Sequence, residues 1–365
     1  MNEKKKERKS NIELLRIVLM FIIIGHHLFI HGLINEWNQE VCLSWLTGEK
    51  YNKIISLLFF PGGEVGVAVF FIIMGFFNVK RMQRLNINKV FVETVGCAIL
   101  TMILSVIFLL LGFRVNLMTL FNSILKLSIA PVSAMWWYVP VYILVSFLSS
   151  YINNIMCSHT KKLNFALLLL VWLSWYAVGN LCSAPLYVVQ KGILFYMIGA
   201  YINLFHKEKK SIVVNGITFL LFWTAGILCA YFGIRFCAYN GTESMQFKLT
   251  MWFFSTFIVP ICAVQLFLVF SNLKINNTFI NSIAEATFGI YLLHDSVLAR
   301  VLIWNEVINV RKQFFSNYFP IIMIVAIVVV FVLCGILAKI MNKTMIPLIE
   351  REINNIQNKI KIGVN

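Results

Sequence analysis

The chain has 365 residues, is 60% hydrophobic and 13% charged, and has a mean hydropathy of +0.82. Soluble domains are close to half apolar and a quarter charged, so this composition excludes a soluble globular protein and fits a polytopic membrane protein. The formal net charge of +16 sits in short clusters between apolar runs rather than on one amphipathic face, which argues against a nucleic-acid partner and reads as a topology signal.

In chain order, MNEKKKERKS followed by an apolar run has the outline of a signal peptide. Arg16, the histidines that follow it and the absence of a small-residue cleavage site make it an uncleaved first span instead. Ten apolar segments are long enough to cross about 30 Å of hydrocarbon: 12–31, 56–78, 90–112, 136–155, 163–181, 186–204, 212–232, 252–270, 282–303 and 318–340. The fold expected is therefore an all-α transmembrane bundle of about ten spans, with a transmembrane domain over 1–341 and a polar tail over 342–365 suited to an interfacial helix. The longest connections expected are 32–55 and 233–251. With ten spans both termini share a side. That side carries 20 Lys and Arg and the other carries 10, counted over the loops, so the termini are expected in the cytoplasm.

The eight cysteines form no CxxC pair and mostly lie in apolar runs, where they act as small hydrophobes. Cys42 and Cys237 are the two placed to pair outside the membrane. No internal repeat is evident, whereas secondary transporters often show paired half-chain symmetry.

The chemistry concentrates in the first segment, NIELLRIVLMFIIIGHHLFIHG, which holds Glu13, Arg16, His26, His27 and His31. Ionisable groups inside a span are costly and usually face a cavity. His27 follows Arg16 by eleven residues, which at 100° per residue leaves only about 20° of rotation, and His31 lies one turn further. Glu13, Arg16, His27 and His31 thus form one stripe, with His26 pointing away from it. A histidine there can act as general base, proton relay or covalent acyl carrier. Arg16 can hold a carboxylate or phosphate through its fork, or pair with Glu13.

The Arg-x10-His arrangement from Arg16 to His27 resembles the opening helix of the acyltransferase-3 family of integral membrane O-acyltransferases. GGEVGVAVFFIIMGFF (62–77) is similar to that family's G-x-x-G-V-x-x-F-F-x-x-S-G-F segment, with Met74 where Ser is usual. MWWYVPVYIL (135–144), KGILFYMIGAYI (191–202) and FGIYLLH (288–294) resemble further family spans in the same order. The resemblance implies acetyl-CoA, or another acyl-CoA, as a cytoplasmic donor, and a sugar hydroxyl of an exopolysaccharide, capsular or wall glycan as acceptor, in a bacterial inner membrane. It places the essential histidine at His27 and the arginine at Arg16. Its Arg-x-x-Arg pair maps onto Arg81 and Arg84, which with Lys80 and Lys89 would meet the CoA phosphates. Those two arginines follow the second span sooner than the family pattern has them, and an ordinary positive-inside loop explains them equally well.

Other polar residues fill out the expected site. His294, beside Asp295 in the ninth segment, is a second catalytic candidate, although neighbours on a helix point about 100° apart. Glu64 is placed to orient His27 or His31. Trp137 and Tyr138, with Trp136, form either an aromatic belt or a sugar-stacking platform. His31 belongs at the outer mouth. No metal is expected, because the three histidines lack carboxylates at metal spacing along the helix and no HExxH occurs. The rival reading is a transporter of polysaccharide or a small anion that uses the stripe as a proton relay.

Overall fold

The computed structural model describes residues 8–35, 37–80, 87–113, 118, 122, 136–181, 184–206 and 211–362, and these contain helices and turns but no strand. Helix α1 is Ser10–His27 and continues through a wider-turned π segment, Leu28–Ile34. Two short helices follow, α2 (Gln39–Thr47) and α3 (Lys50–Leu57), then α4 (Gly62–Asn78) and α5 (Ile87–Leu110). Next come α6 (Tyr138–Ser158), α7 (Lys161–Leu181), α8 (Ala184–Phe205) and α9 (Ile212–Asn240). Helix α10 (Met245–Phe253) passes through a π segment, Phe254–Ile258, into α11 (Val259–Ser271). The chain ends with α12 (Thr278–Ala284), α13 (Thr287–His294), α14 (Val297–Val301), the π segment Leu302–Val307, α15 (Val310–Gln313) and α16 (Phe319–Ile362).

Each of the ten apolar segments coincides with helix. Eight helices among the described residues are long and apolar enough to cross a membrane, and α7 covers the segment expected at 163–181. The ninth segment departs from expectation. Instead of running straight over 282–303, it is a pair, Thr278–His294 and Val297–Gln313, bent by 72°. The break is chemically prepared. Ser296 sits in extended backbone and its hydroxyl accepts the Ala299 N–H at 3.2 Å, starting a new helix as an N-cap.

The connections also differ from expectation. The stretch 32–55 holds α2 and α3, the first capped by Asn38. The loop expected at 233–251 shrinks to a turn at 241–244, because α9 runs on to Asn240 and Ser244 caps α10. Cys42 and Cys237 face each other as free thiols.

Helix α1 lies inside the bundle, against α4, α11, α12, α13 and α16, and buries Leu15, Leu19 and Ile24 completely, as the π segment does Phe29. The tightest helix pair is α4 with α8, because two glycines let the backbones meet. A Cβ at Gly75 would collide with the Tyr196 carbonyl oxygen, and one at Gly199 with that of Ile72. Small residues serve this purpose in membranes, where close van der Waals contact replaces the hydrophobic drive. Around the seam, Asn78 donates to the Tyr196 hydroxyl at 3.0 Å, which donates to Asn153 at 2.8 Å, tying α4, α8 and α6 together.

Leucine at Gly75 or Gly199 should cost at least about 3 kcal/mol, the upper end of overpacking, because a carbonyl rather than a pliable side chain is in the way. Leucine at Gly216, which has nothing within 4 Å, is the control. Monodisperse yield in detergent should fall for the first two variants and hold for the third.

Candidate active site

A cavity of about 910 Å³ runs along α1. At the N-terminal end of that helix its wall carries Arg8, Lys9, Lys80 and Lys89, with Glu93 and Glu285. Lys9 leans over the rings of Phe76 and Phe77, 6.0 and 5.5 Å from their centroids, which fixes the end of α4 beside the start of α1. Glu13 and Arg16 come next along the wall. The other end is formed by His26, His27, Glu64 and Asp295. Trp137, Tyr138 and Tyr142 close one side, from the start of α6.

The deep end is a polar cluster built at the broken helix. His294 Nδ1 lies 2.7 Å from the Ile290 carbonyl oxygen, which can only accept, so this nitrogen carries a proton. In a neutral ring the Nε2 of His294 is then an acceptor. It lies 2.9 Å from Nδ1 of His27, and the two rings stack with centroids 5.0 Å apart. His27 must therefore donate through Nδ1, which leaves its Nε2 as the bare nitrogen. His27 thus presents a lone pair from a ring held in place by His294. A neighbouring ring that fixes the tautomer in this way is what a general base requires.

Asp295 anchors the cluster. Its Oδ1 accepts Arg300 Nε at 2.9 Å and faces Arg300 Nη2 at 2.8 Å, with His27 Nδ1 at 3.4 Å and His31 Nε2 at 3.5 Å. Adjacent His294 and Asp295 form no dyad with each other, and each meets His27 separately. The helix stops between them, so both side chains turn toward His27. His31 sits beside His27 with ring centroids 5.1 Å apart, joined to Asp295 and not itself part of the cavity lining. The spacing argument against a metal site holds only along α1. Donor atoms of His27, His31 and Asp295 all lie within 4.8 Å of one another, although the Asp295 charge is already met by Arg300.

Glu64 does line the cavity, but its partner is Lys191 rather than His27 or His31. Lys191 is 2% exposed and projects from α8, while the Glu64 side chain is 36% exposed to the cavity. His26 does not point away from the site. It lines the cavity over Gly63, with Nδ1 2.7 Å from the Phe60 carbonyl oxygen, which fixes its tautomer too.

Arg16 lines the cavity and forms no ion pair with Glu13. Its Nε is buried and has no hydrogen-bond partner among the described residues, and neither has Glu13 Oε2. Trp136 is no belt residue, being fully buried with its indole N–H on the Leu292 carbonyl at 2.9 Å. Trp137 and Tyr138 face the cavity, where a ligand can reach them. Arg81 and Arg84 lie outside the described residues, and Lys80 stands exposed at the basic end.

Sequence reasoning missed two members, Lys191 and Arg300, by counting both as outer-side loop charges. The overlooked signal was their position inside apolar segments, since a cation within a span calls for a named partner.

A membrane-spanning helical bundle with an oriented histidine in a largely apolar cavity that carries charged groups at both ends is the architecture of a multi-pass membrane enzyme. A family model described as an acyltransferase domain, that of the acyltransferase-3 family, matches residues 9–339, and the chain belongs to that family. Comparison with curated proteins and with solved structures finds no match.

The Glu64–Lys191 pair gives a stability test. Glu64→Gln strands a buried ammonium and should cost about 3 kcal/mol, whereas adding Lys191→Met should recover most of that loss. Thermal unfolding of the single and double variants in detergent reads both, and a double variant no more stable than the single one would contradict the pairing.

Proposed function

We propose that this membrane acyltransferase moves an acetyl group from acetyl-CoA to a hydroxyl of an exopolysaccharide, capsular or wall glycan. In this reading the protein sits in a bacterial inner membrane with both termini in the cytoplasm. The observation that carries the proposal is the hydrogen-bonded chain from the Ile290 carbonyl through His294 to His27, which leaves His27 Nε2 bare at the far end of a cavity whose near end is basic.

The CoA phosphates bind at the basic end, where Arg8, Lys9, Lys80 and Lys89 supply charge, with Arg81 and Arg84 as further candidates. The pantetheine arm then lies along α1 past Arg16 and brings the thioester toward His27. Glu64 and the faces of Trp137 and Tyr138 offer a carboxylate acceptor and stacking surfaces for the sugar. His27 Nε2 takes the hydroxyl proton as the oxygen attacks the thioester carbonyl carbon. The tetrahedral intermediate collapses with cleavage of the C–S bond, and the leaving thiolate takes the proton back from His27. A general base of this kind contributes about 10²–10⁴-fold. A relay through an acylated His27 would use the same nitrogen as nucleophile.

Inverted membrane vesicles supplied with labelled acetyl-CoA, with label followed into glycan, test the proposal. His27→Ala should insert normally and transfer no label, and Arg16→Ala should fail likewise. Arg16→Lys keeps the charge and loses the planar fork, so most activity should be lost. Wild-type labelling by His27→Ala would overturn the site. Flux of glycan driven by the proton gradient, without label, would favour a transporter.

A further inference from the structure

Four cavity-lining residues carry a buried polar atom with an unfilled hydrogen-bonding role among the described residues: Glu13 Oε2, Arg16 Nε, Asn203 Oδ1 and the Tyr291 O–H, whose oxygen faces the Tyr138 backbone but whose proton meets no acceptor. A buried polar group left unsatisfied costs about 1–3 kcal/mol, so a retained one asks for a ligand atom. Only Arg16 and Tyr291 are donors. Asn203 has already given its amide N–H to the Phe76 carbonyl at 2.8 Å, and its orphan atom is an acceptor.

The two donors serve different places. Arg16 lies eleven residues before His27 on one helix, about 16 Å along its axis. Tyr291 is on α13, three residues before His294, and therefore on the same face one turn away. Its ring meets the His294 ring edge-on at 6.3 Å, and the His294 ring in turn stacks on His27 at 5.0 Å. The Tyr138 ring holds Tyr291 from the other side at 5.7 Å. At 8% exposure the phenol is held in place on the cavity wall, its O–H not given to any acceptor among the described residues, with the His294 ring between it and His27.

We infer that Tyr291 is a catalytic residue whose O–H donates a hydrogen bond to the carbonyl oxygen of the acyl thioester as that oxygen becomes negative. The assignment rests on the acyl-transfer reading above. It needs no covalent change at Tyr291: the phenol keeps its proton, the developing charge stays on the substrate oxygen, and the attacking hydroxyl's proton goes to His27. A preformed donor at such a point is worth most in a site from which water is excluded, because it needs no reorganisation when charge develops.

The test uses full-length protein in inverted vesicles carrying their own glycan, with labelled acetyl-CoA as probe. Tyr291→Phe should lower kcat about 10²-fold, the scale of losing one oxyanion donor, and leave KM for acetyl-CoA nearly unchanged. Replacing Tyr291 by 3-fluorotyrosine keeps the ring and the O–H, and should hold kcat at or above wild type. A Tyr291→Phe enzyme with wild-type kcat, a loss carried by KM alone, or equal impairment of the phenylalanine and fluorotyrosine forms would each overturn the assignment. Failure of the wild type to transfer label is a distinct result, since it overturns the acyl-transfer reading and this assignment with it.

Discussion

A carboxylate at the centre of a membrane bundle must be paired or it will not stay ionised there, and Asp295 meets that requirement with Arg300, His27 and His31 converging on one oxygen. Much of the local structure follows from this demand. A straight helix would aim Asp295 and His294 in different directions. Ending α13 at His294 and restarting at Val297 turns both toward α1, with Ser296 capping the new start. The carbonyls freed by the break are not left bare: Trp136 donates to Leu292, and the Ser296 hydroxyl lies 3.0 Å from the Leu293 oxygen. The π segment after His27 keeps the His31 ring beside it, within reach of the same carboxylate.

The rest of the bundle holds this cluster against the opposite cavity wall. Helix α4 carries Glu64 at its start and meets α1 closely enough that His26 lies over Gly63. Behind α4, the glycine seam with α8 brings Lys191 to Glu64, so close backbone packing and a buried charge pair share one interface. The wall therefore has a carboxylate on each side of the histidines, and each carboxylate has its own cation, Arg300 on one side and Lys191 on the other. That arrangement leaves the charge of Arg16 uncommitted to either.

How much of this was legible in the sequence depends on the range of the interaction. Hydropathy located all ten helical segments, because a span is a local property of some twenty residues. The stripe of Arg16 and His27 was legible from helical period alone, and the family motifs were local strings. The partners were not. Asp295, Arg300 and Lys191 reach the site from helices far along the chain, and nothing in their neighbouring residues names the contact. The helix break was missed because residues 282–303 are apolar enough to read as one span; only the run His294-Asp295-Ser296, two helix-disfavouring residues after a histidine, hinted at it. Trp136 was read as a boundary residue because an indole suits both an interface and a buried carbonyl.

The last helix has a length that no bilayer can contain. Its 44 residues make a rod of about 66 Å, roughly twice the hydrocarbon thickness. About half of it must emerge, and the emerging part is not loose. Met341 and Ile346 are buried, and Ile346 with Ile349 lies against Gly96 of α5, the helix whose first turns bring Lys89 and Glu93 to the basic end of the cavity. The emerging half is thereby packed onto the same helix that carries the basic end of the cavity, so the last span and the cavity mouth are parts of one packed unit.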